Sequence, residues 1–396
     1  MLRIAVLGCG RIGQMHAANV AKHPRAKLAA VYDVNAQAAN AVAQALGVQA
    51  AASAADVFAD ANVDAVLIAT STDTHSDLIE RATAAGKAVL CEKPVDLSLE
   101  RALACQKAVA ANGRPVMIGF NRRFDPNFAA LKAAADRGEI GKTELLSVTS
   151  FDPAPPPVSY IKVSGGLFRD MMIHDLDLAR FLVGEEFVTV QALGAALVDK
   201  AIGDEGDCDT AAVQMQTASG KIAVITNSRR ATYGYDQRIE AHGVLGAVSA
   251  ENQRPVSIEV ATAAGYTRPA LHDFFMTRYI DAYAAEIATF IAALGGKGKA
   301  EPSGEDGLIA LALADAAGIT RRVVNLHYRG DQIAAHLPPD FALSWERDTI
   351  LETGGGLRAA LPLLGEGPVL TLNSDAVWTG ANPLTELMDI WDDARM

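Results

Sequence analysis

Asp170 and His174 are the residues whose types and spacing point most directly to proton-transfer chemistry. They follow a glycine pair, Gly165-Gly166, and a separation of four places two side chains on the same face of a helix. An imidazole exchanges a proton near neutral pH, and a carboxylate beside it can fix its tautomer and stabilise its charged form. The pair is therefore a candidate general base with an orienting acid. The alternative is an acidic helix N-terminus with one structural histidine.

A glycine motif near the N-terminus predicts a dinucleotide-binding unit. The motif is Gly8-Cys9-Gly10-Arg11-Ile12-Gly13, and it lies between the apolar run 2–7 and a helical pattern that extends to Lys22. A strand is predicted next at 27–32, and Asp33 follows its last residue. The glycines allow a tight turn and the close approach of a pyrophosphate to the helix N-terminus, and Asp33 would accept hydrogen bonds from the adenosine ribose. No lysine or arginine occurs between Asp33 and Arg81 to neutralise a 2′-phosphate. The sequence therefore predicts NAD rather than NADP.

The alternation of strands and helices continues through strands at 65–68, 88–91 and 116–119. Ligands of a doubly wound sheet bind at the carboxyl ends of its strands. Polar residues that follow those ends are predicted to line the cofactor cleft: Thr70, Ser71, His75, Glu92 and Lys93. His75 could equally be a helix-start residue without a ligand, and Lys93 taken alone could be a surface lysine.

Composition narrows the class of protein. The net charge of −12 over 396 residues argues against a nucleic-acid or anionic-membrane partner. Four cysteines lie at no metal-like spacing, so we predict buried thiols and no metal site: Cys9, Cys91, Cys105 and Cys208. No apolar stretch is long enough to span a bilayer, and the first apolar run leads directly into the glycine motif instead of a signal-peptide pattern. We therefore expect a cytoplasmic protein.

Three separated motifs resemble those of the Gfo/Idh/MocA oxidoreductases. They are Glu92-Lys93-Pro94, the run 119–125 (GFNRRFD), and Asp170-x-x-x-His174-Asp175. Within that family, the segments 152–157 and 169–175 are similar to those of bacterial myo-inositol 2-dehydrogenases. The resemblance covers residues 1 to about 317. It implies NAD-dependent oxidation of a cyclitol or polyol, with myo-inositol converted to 2-keto-myo-inositol as the leading expectation.

The resemblance also implies roles for individual residues. Lys93 would hydrogen-bond the reacting hydroxyl near the nicotinamide ribose, Asp170 would orient His174, and His174 would take the hydroxyl proton while the hydride goes to NAD. A nearby ammonium would stabilise developing alkoxide charge. Within the same class, another inositol isomer or a sugar could be the substrate. From a different class, the chain could be an NAD-binding sensor without chemistry.

Further substrate contacts are less specific. Arg122 matches the family arginine that reaches toward cofactor and substrate, and Asp152 lies where a polyol-binding carboxylate could lie. Tyr233 and Tyr235 resemble family tyrosines that approach the substrate, although packing explains each equally well. Phe151 departs from the basic residue expected at its position.

The predicted fold class is α/β, with an α+β second domain and a truncated α/β tail. Residues 1–120 form a Rossmann dinucleotide-binding domain, and 121–317 form an α+β domain with an open, mostly antiparallel sheet. Its strands are predicted at 144–150, 188–194, 211–217, 222–228, 238–242 and 256–261, with long helices at 275–294 and 308–317. An open sheet with one free face favours a homo-oligomer, either a dimer or a tetramer.

Residues 318–396 have a different character. Residues 331–396 carry eleven acidic residues against three arginines, and all three tryptophans. The strand-like run 319–328, the glycine run 354–356 and the segment 368–375 resemble an internal piece of sugar-phosphate nucleotidyltransferases, in which Asp375 would match a magnesium ligand. The triphosphate-holding loop and the second metal ligand of that family are missing, so we predict no nucleotidyl transfer. This tail is either a truncated fusion fragment or an accessory module.

Overall fold

The computed structural model describes residues 1–318, 322–326, 330–334, 341–347 and 351–364. The chain divides into two compact units, Met1–Ala317 and Gly318–Met396. Among the described residues, none of the helices combines the length and apolar character needed to cross a membrane.

The first unit begins with a six-stranded sheet whose strands pair in parallel in the order β3-β2-β1-β4-β5-β6. Its strands are β1 (Leu2–Leu7), β2 (Ala26–Tyr32), β3 (Gln49–Ala50), β4 (Ala65–Ile68), β5 (Ala88–Glu92) and β6 (Val116–Gly119). The connecting helices are α1 (Arg11–Lys22), α2 (Ala36–Leu46), α3 (Ala54–Ala59), α4 (His75–Ala84) and α5 (Leu99–Asn112). The strand order reverses between β1 and β4, which creates the crevice where such sheets bind ligands.

Local sequence explains these boundaries. Every residue of β4 is buried, as expected of a strand covered by helices on both faces. Asn35 and Ser98 cap α2 and α5 by accepting hydrogen bonds from backbone N–H groups of the first turn. Gly47 and Gly113 end the same helices in the left-handed conformation that glycine adopts without strain.

A second six-stranded sheet follows, in the order β12-β11-β7-β10-β9-β8. Its strands are β7 (Thr143–Phe151), β8 (Phe187–Ala195), β9 (Thr210–Thr217), β10 (Ile222–Ser228), β11 (Asp236–Gly243) and β12 (Gly246–Ala250). Only the pairing of β7 with β10 is parallel, so the predicted mostly antiparallel sheet is confirmed. The accompanying helices are α6 (Pro126–Asp136), α7 (Val158–Ser164), α8 (Ile173–Val183), α9 (Lys200–Asp204), α10 (Phe275–Arg278), α11 (Ile280–Leu294) and α12 (Gly304–Ala317).

Two predicted elements of this part need correction. The run 256–261 does not join the sheet, because only β13 (Val260–Thr262) is extended and it pairs with β14 (Gly265–Thr267) in an exposed hairpin. The predicted single helix 275–294 breaks at Tyr279, because the backbone of this residue is not helical while its side chain is buried. Ile280, which was expected on the apolar side of that helix, is exposed. Helix α12 packs on α5 and on β6 of the first sheet.

The second unit contains a short parallel pair. Strands β15 (Arg322–Leu326) and β16 (Phe341–Trp345) lie beside α14 (Glu352–Leu364), and α13 (Gly330–Ala334) comes between the two strands in the sequence. The predicted strand 319–328 is thus seen at 322–326, and the glycine run 354–356 lies inside α14. The segment 368–375, with Asp375, lies outside the described residues.

Candidate active site

The three glycines of the N-terminal motif serve different purposes. Gly8 has a φ of +98°, and a Cβ there would lie 2.2 Å from the carbonyl oxygen of Ala69. A Cβ on Gly13 would lie 2.0 Å from the carbonyl oxygen of Gly8. A Cβ on Gly10 would meet nothing within 4 Å. The fold itself therefore requires Gly8 and Gly13, whereas Gly10 leaves open space at the N-terminus of α1, where a pyrophosphate fits.

The carboxylate of Asp33 is fixed beside this loop. It accepts hydrogen bonds from the backbone N–H of Cys9 at 2.6 Å and of Asn35 at 2.8 Å. A cavity of about 270 Å³ borders it, lined by residues at the carboxyl ends of β2 and β3 and by the start of α2. The exposed Arg11 stacks its guanidinium over the ring of Phe274, 5.1 Å from the ring centroid. A dinucleotide that follows the glycine loop would meet Asp33 next, which fits a ribose contact.

The residues after β4 divide into accessible and buried groups. Thr70 lies directly beside Gly8, and its hydroxyl is 2.7 Å from that of Thr74, while Ser71 is exposed. His75 is only 1 % exposed, and its ring nitrogens face the carbonyl oxygens of Pro94 at 2.8 Å and Thr70 at 3.2 Å. The prediction that His75 contacts the cofactor is therefore corrected. Its imidazole ties the Thr70 loop to the Glu92-Lys93-Pro94 turn.

Glu92 points toward buried groups on α1 and α11. Its Oε1 lies 2.7 Å from Nε2 of His16, and ligand atoms of His16, Glu92 and Glu286 all lie within 4.8 Å of one another. Burial and the nearby Glu92 raise the pKa of Glu286 well above its usual range, which favours its neutral form. Such spacing would admit a cation, but a hydrogen bond already joins two of the three groups. We therefore interpret Glu92 as a residue that positions the turn rather than a cofactor ligand.

Lys93 and Asp170 meet at the carboxyl end of β5. The Lys93 ammonium donates to the backbone carbonyl of Asp170 at 2.7 Å and to its Oδ1 at 3.3 Å. The same Oδ1 accepts a hydrogen bond from the hydroxyl of Tyr160 at 3.0 Å. Nη2 of Arg229 lies 3.7 Å from Oδ2. The carboxylate is thus surrounded by three donors from three other elements.

His174 lies near this pair, but the structure shows no hydrogen bond from its imidazole to Asp170 that would orient it as predicted. Its Nδ1 is buried and has no partner in the described part of the chain, and its ring lies edge-on to that of Phe120. Residues Leu167–Met172 form a π-helical turn before α8, and the wider turn changes the angular offset between residues four apart. Asp170 therefore faces Lys93 and Tyr160. Burial, with Lys93 and Arg122 nearby, lowers the pKa of His174 well below its usual range, which favours the neutral imidazole.

Arg122 is buried and paired with Asp175, whose other oxygen accepts a hydrogen bond from Asn227 at 3.0 Å. One bond leaves other N–H donors of this guanidinium, so its contact with cofactor or substrate stays a prediction. The charge of Arg122 is one cause of the lowered pKa of His174.

Asp152 follows β7 and lies within electrostatic range of Arg229, Arg122 and Asp170. Burial raises its pKa to about 6, although the two arginines oppose the shift. Asp152 is therefore near the other predicted site residues.

The two tyrosines of the 231–236 segment differ. Tyr235 is buried, edge-on to Tyr279, and within electrostatic range of Arg122 and Asp152, so it packs behind the site. Tyr233 is 53 % exposed, and its hydroxyl donates to Asp236 at 2.6 Å. Asp236 also accepts from Arg238, so the Tyr233 hydroxyl belongs to a surface cluster, and its contact with substrate stays a prediction.

Tyr160 and Arg229 were missed by reasoning from sequence. Tyr160 lies in an unremarkable seven-residue helix, and Arg229 is one of two adjacent arginines after β10. For Tyr160, the one signal in the sequence is its position just after the proline-rich segment 153–157.

Comparison with known proteins places this geometry in a family. The family model for "Oxidoreductase family, NAD-binding Rossmann fold" (Gfo/Idh/MocA) matches residues 2–120, and the model for the Gfo/Idh/MocA C-terminal domain matches residues 128–249. The chain is 60 % identical over 316 residues to the inositol 2-dehydrogenase of Rhizobium meliloti, a match that covers 80 % of this chain and 96 % of the relative.

The chain belongs to the Gfo/Idh/MocA oxidoreductase family.

Solved structures of the family have the same architecture as this Gfo/Idh/MocA oxidoreductase. A myo-inositol dehydrogenase from Corynebacterium glutamicum is similar with a TM-score of 0.77 and 45 % identity, covering 80 % of this chain and 95 % of that one. A scyllo-inositol dehydrogenase from Lactobacillus casei with bound NAD(H) and scyllo-inositol has a TM-score of 0.74 and 31 % identity, with the same coverage. The predictions of an NAD-dependent oxidoreductase and of a Rossmann domain followed by a second, mixed-sheet domain are confirmed.

Proposed function

We propose that this chain oxidises a secondary alcohol of a cyclitol with NAD, converting myo-inositol to 2-keto-myo-inositol. The observation that carries the proposal is the convergence of Lys93 and Asp170, joined at 2.7 Å and 3.3 Å, beside a His174 whose lowered pKa leaves it neutral. The 60 % identity to an inositol 2-dehydrogenase supports the substrate class.

The proposed roles follow from the chemistry of each group. His174, as a neutral imidazole, accepts the proton of the reacting hydroxyl. Lys93 has three N–H donors, two of which Asp170 engages, and the third hydrogen-bonds the substrate oxygen and stabilises its developing negative charge. Asp170 holds Lys93 in place. NAD, when bound, accepts the hydride from the same carbon.

In this proposal the pyrophosphate of NAD lies in the open space at Gly10, at the N-terminus of α1 with Arg11 and Ile12, and the ribose contacts the Asp33 carboxylate. The Thr70-Ser71 turn also contacts the cofactor. Asp152 is the proposed substrate carboxylate beyond the reacting centre. We retain residue 120 as the proposed boundary between the cofactor and substrate domains.

The test is the appearance of NADH absorbance with the full chain, NAD and a panel of myo-inositol, scyllo-inositol, other isomers and sugars. We expect the highest kcat/KM with myo-inositol and a strong preference for NAD over NADP. A higher kcat/KM with another isomer would reassign the substrate within the class. NAD binding without turnover of any polyol would instead favour a sensor.

We also propose a cytoplasmic homo-oligomer, a dimer or tetramer. Strand β8 lies at an edge of the second sheet, and large apolar side chains such as Val188 and Leu193 are exposed on it. Light scattering on the purified chain measures the mass directly, and a monomer at micromolar concentration would contradict this proposal.

For residues 318–396 we propose a non-catalytic unit resembling an internal fragment of a sugar-phosphate nucleotidyltransferase. Gly356 lies inside α14, and a Cβ there would approach Asn325 and Glu346 at 2.6 Å, so this glycine packs against its own unit. A UTP turnover assay on the whole chain is expected to show no reaction.

A further inference from the structure

Tyr160 is a second exposed tyrosine whose hydroxyl is held by an aspartate, and here that aspartate is Asp170. The residue is 46 % exposed, but its Oη donates to Asp170 Oδ1 at 3.0 Å. It reaches the site from α7, a helix separated from Asp170 by the Gly165-Gly166 turn. Its phenol therefore spans from solvent to a proposed catalytic group.

The surroundings keep this hydroxyl oriented as a donor toward Asp170. Asp170 Oδ1 also accepts from Lys93, and Arg229 faces Oδ2 at 3.7 Å. Arg229 is 1 % exposed, and its Nε and Nη2 have no hydrogen-bond partner within the described ranges. This buried guanidinium lies beside the Asp170 carboxylate and attracts its negative charge. With Asp170 as an anionic acceptor, the Tyr160 O–H has one dominant partner.

A phenol that donates to a carboxylate keeps its own oxygen lone pairs free. Donation to an anion also polarises that oxygen and makes it a better acceptor. A polyol bound at Lys93 and His174 carries hydroxyls on the carbons beside the reacting one, and these are donors that must be satisfied when water is displaced. Tyr160 Oη is an acceptor suited to one of them.

We propose that Tyr160 is a specificity residue that accepts a hydrogen bond from a substrate hydroxyl other than the reacting one, while its own O–H holds Asp170 on Lys93. The inference rests on the proposed polyol oxidation. Tyr160, on α7, would thus bind a hydroxyl on a carbon next to the reacting one. This contact would make the site selective for polyols over simple secondary alcohols.

Tyr160→Phe tests this, with Tyr266→Phe as the control. Tyr266 is exposed on the β13–β14 hairpin, whereas the groups around Lys93 and Asp170 come from other elements. We expect Tyr160→Phe to raise KM for myo-inositol about 5- to 20-fold, with a smaller fall in kcat. Tyr266→Phe should change either constant less than about twofold. The Kd for NADH, measured by fluorescence, should be unchanged in both variants.

A panel of monodeoxy-inositols identifies the contact. The wild type should lose efficiency with the analogue that lacks the recognised hydroxyl, and Tyr160→Phe should no longer distinguish that analogue from myo-inositol. If the wild type turns over myo-inositol and Tyr160→Phe has the same constants as Tyr266→Phe, this inference is overturned while the proposed function stands. Absence of turnover in the wild type would instead refute the proposed function. Melting temperatures of both variants close to the wild type would exclude misfolding as the cause.

Discussion

Gly8, Gly10 and Gly13 lie within six residues of one another, whereas the groups around Asp170 come from elements spread between Lys93 and Arg229. The cofactor side depends on backbone shape: Gly8 has a positive φ, Gly8 and Gly13 lie against other backbone atoms, and Gly10 faces open space. The substrate side depends on charge. Lys93, Arg122 and Arg229 oppose Asp152, Asp170 and Asp175 in a largely buried space.

This difference means that the two sides should fail differently. A site formed by backbone shape tolerates changes in surrounding charge, but an added methyl group on one of its glycines disrupts it. A site formed by charged side chains keeps its shape when one of them is removed, but the protonation states of the neighbouring groups shift. The following substitutions separate the two kinds of failure.

His174→Ala carries the largest expected effect. Removing the proposed base should lower kcat by about 10²- to 10⁴-fold, because the hydroxyl proton then has no positioned acceptor. The Kd for NAD, measured by fluorescence or calorimetry, should stay within about twofold, since the cofactor side is built from other residues. His242→Ala, an exposed histidine on β11, is the control and should retain full activity. A His174→Ala enzyme with near-normal kcat would show that another group, such as Lys93, accepts the proton.

Gly10→Ala should impair the cofactor side alone. Gly10 has a φ of −68°, which alanine adopts freely, and its Cβ would meet no protein atom within 4 Å. We expect an unchanged melting temperature and a KM for NAD raised more than about 10-fold, because the methyl group would occupy the space for the pyrophosphate. Gly8→Ala is the contrast, since its φ of +98° and its contact with Ala69 should reduce the free energy of unfolding by about 1–3 kcal/mol. Normal NAD affinity in Gly10→Ala would mean that the cofactor follows a different path.

Asp152→Asn gives the smallest effect and tests the charge balance. The pKa of Asp152 is raised from 3.8 to about 6, so the folded protein holds this proton more tightly than the unfolded chain does. That contribution to stability is fully present below about pH 4 and is lost as the pH rises through about 6. Denaturant titrations should therefore show Asp152→Asn more stable than the wild type by about 1–3 kcal/mol at pH 8, and equal to it near pH 4.

If Asp152→Asn were less stable than the wild type at pH 8, the pairing of Asp152 with Arg122 and Arg229 would outweigh its burial. The sign of this single comparison thus decides whether desolvation or charge pairing dominates on the substrate side.

The sequence by itself determined what depends on short-range geometry. Residues 2–33 contain the strand, glycine turn, helix, strand and acid in order, and each condition is local, so the parallel sheet and the position of Gly10 could be predicted. The same holds for the position of Lys93 at a strand end. Apolar runs gave most strands of the second sheet, but β12, a short strand that follows a glycine turn, was missed.

Only the tertiary structure decided which partner each polar group takes. Four-residue spacing placed Asp170 with His174, but a π-helical turn and the approach of Lys93 and Tyr160 gave Asp170 other partners. His75 has the residue type of a ligand, yet burial engages it with protein groups. A side chain's partner depends on which distant elements pack against it and how much water they exclude, and neither property is encoded in local spacing.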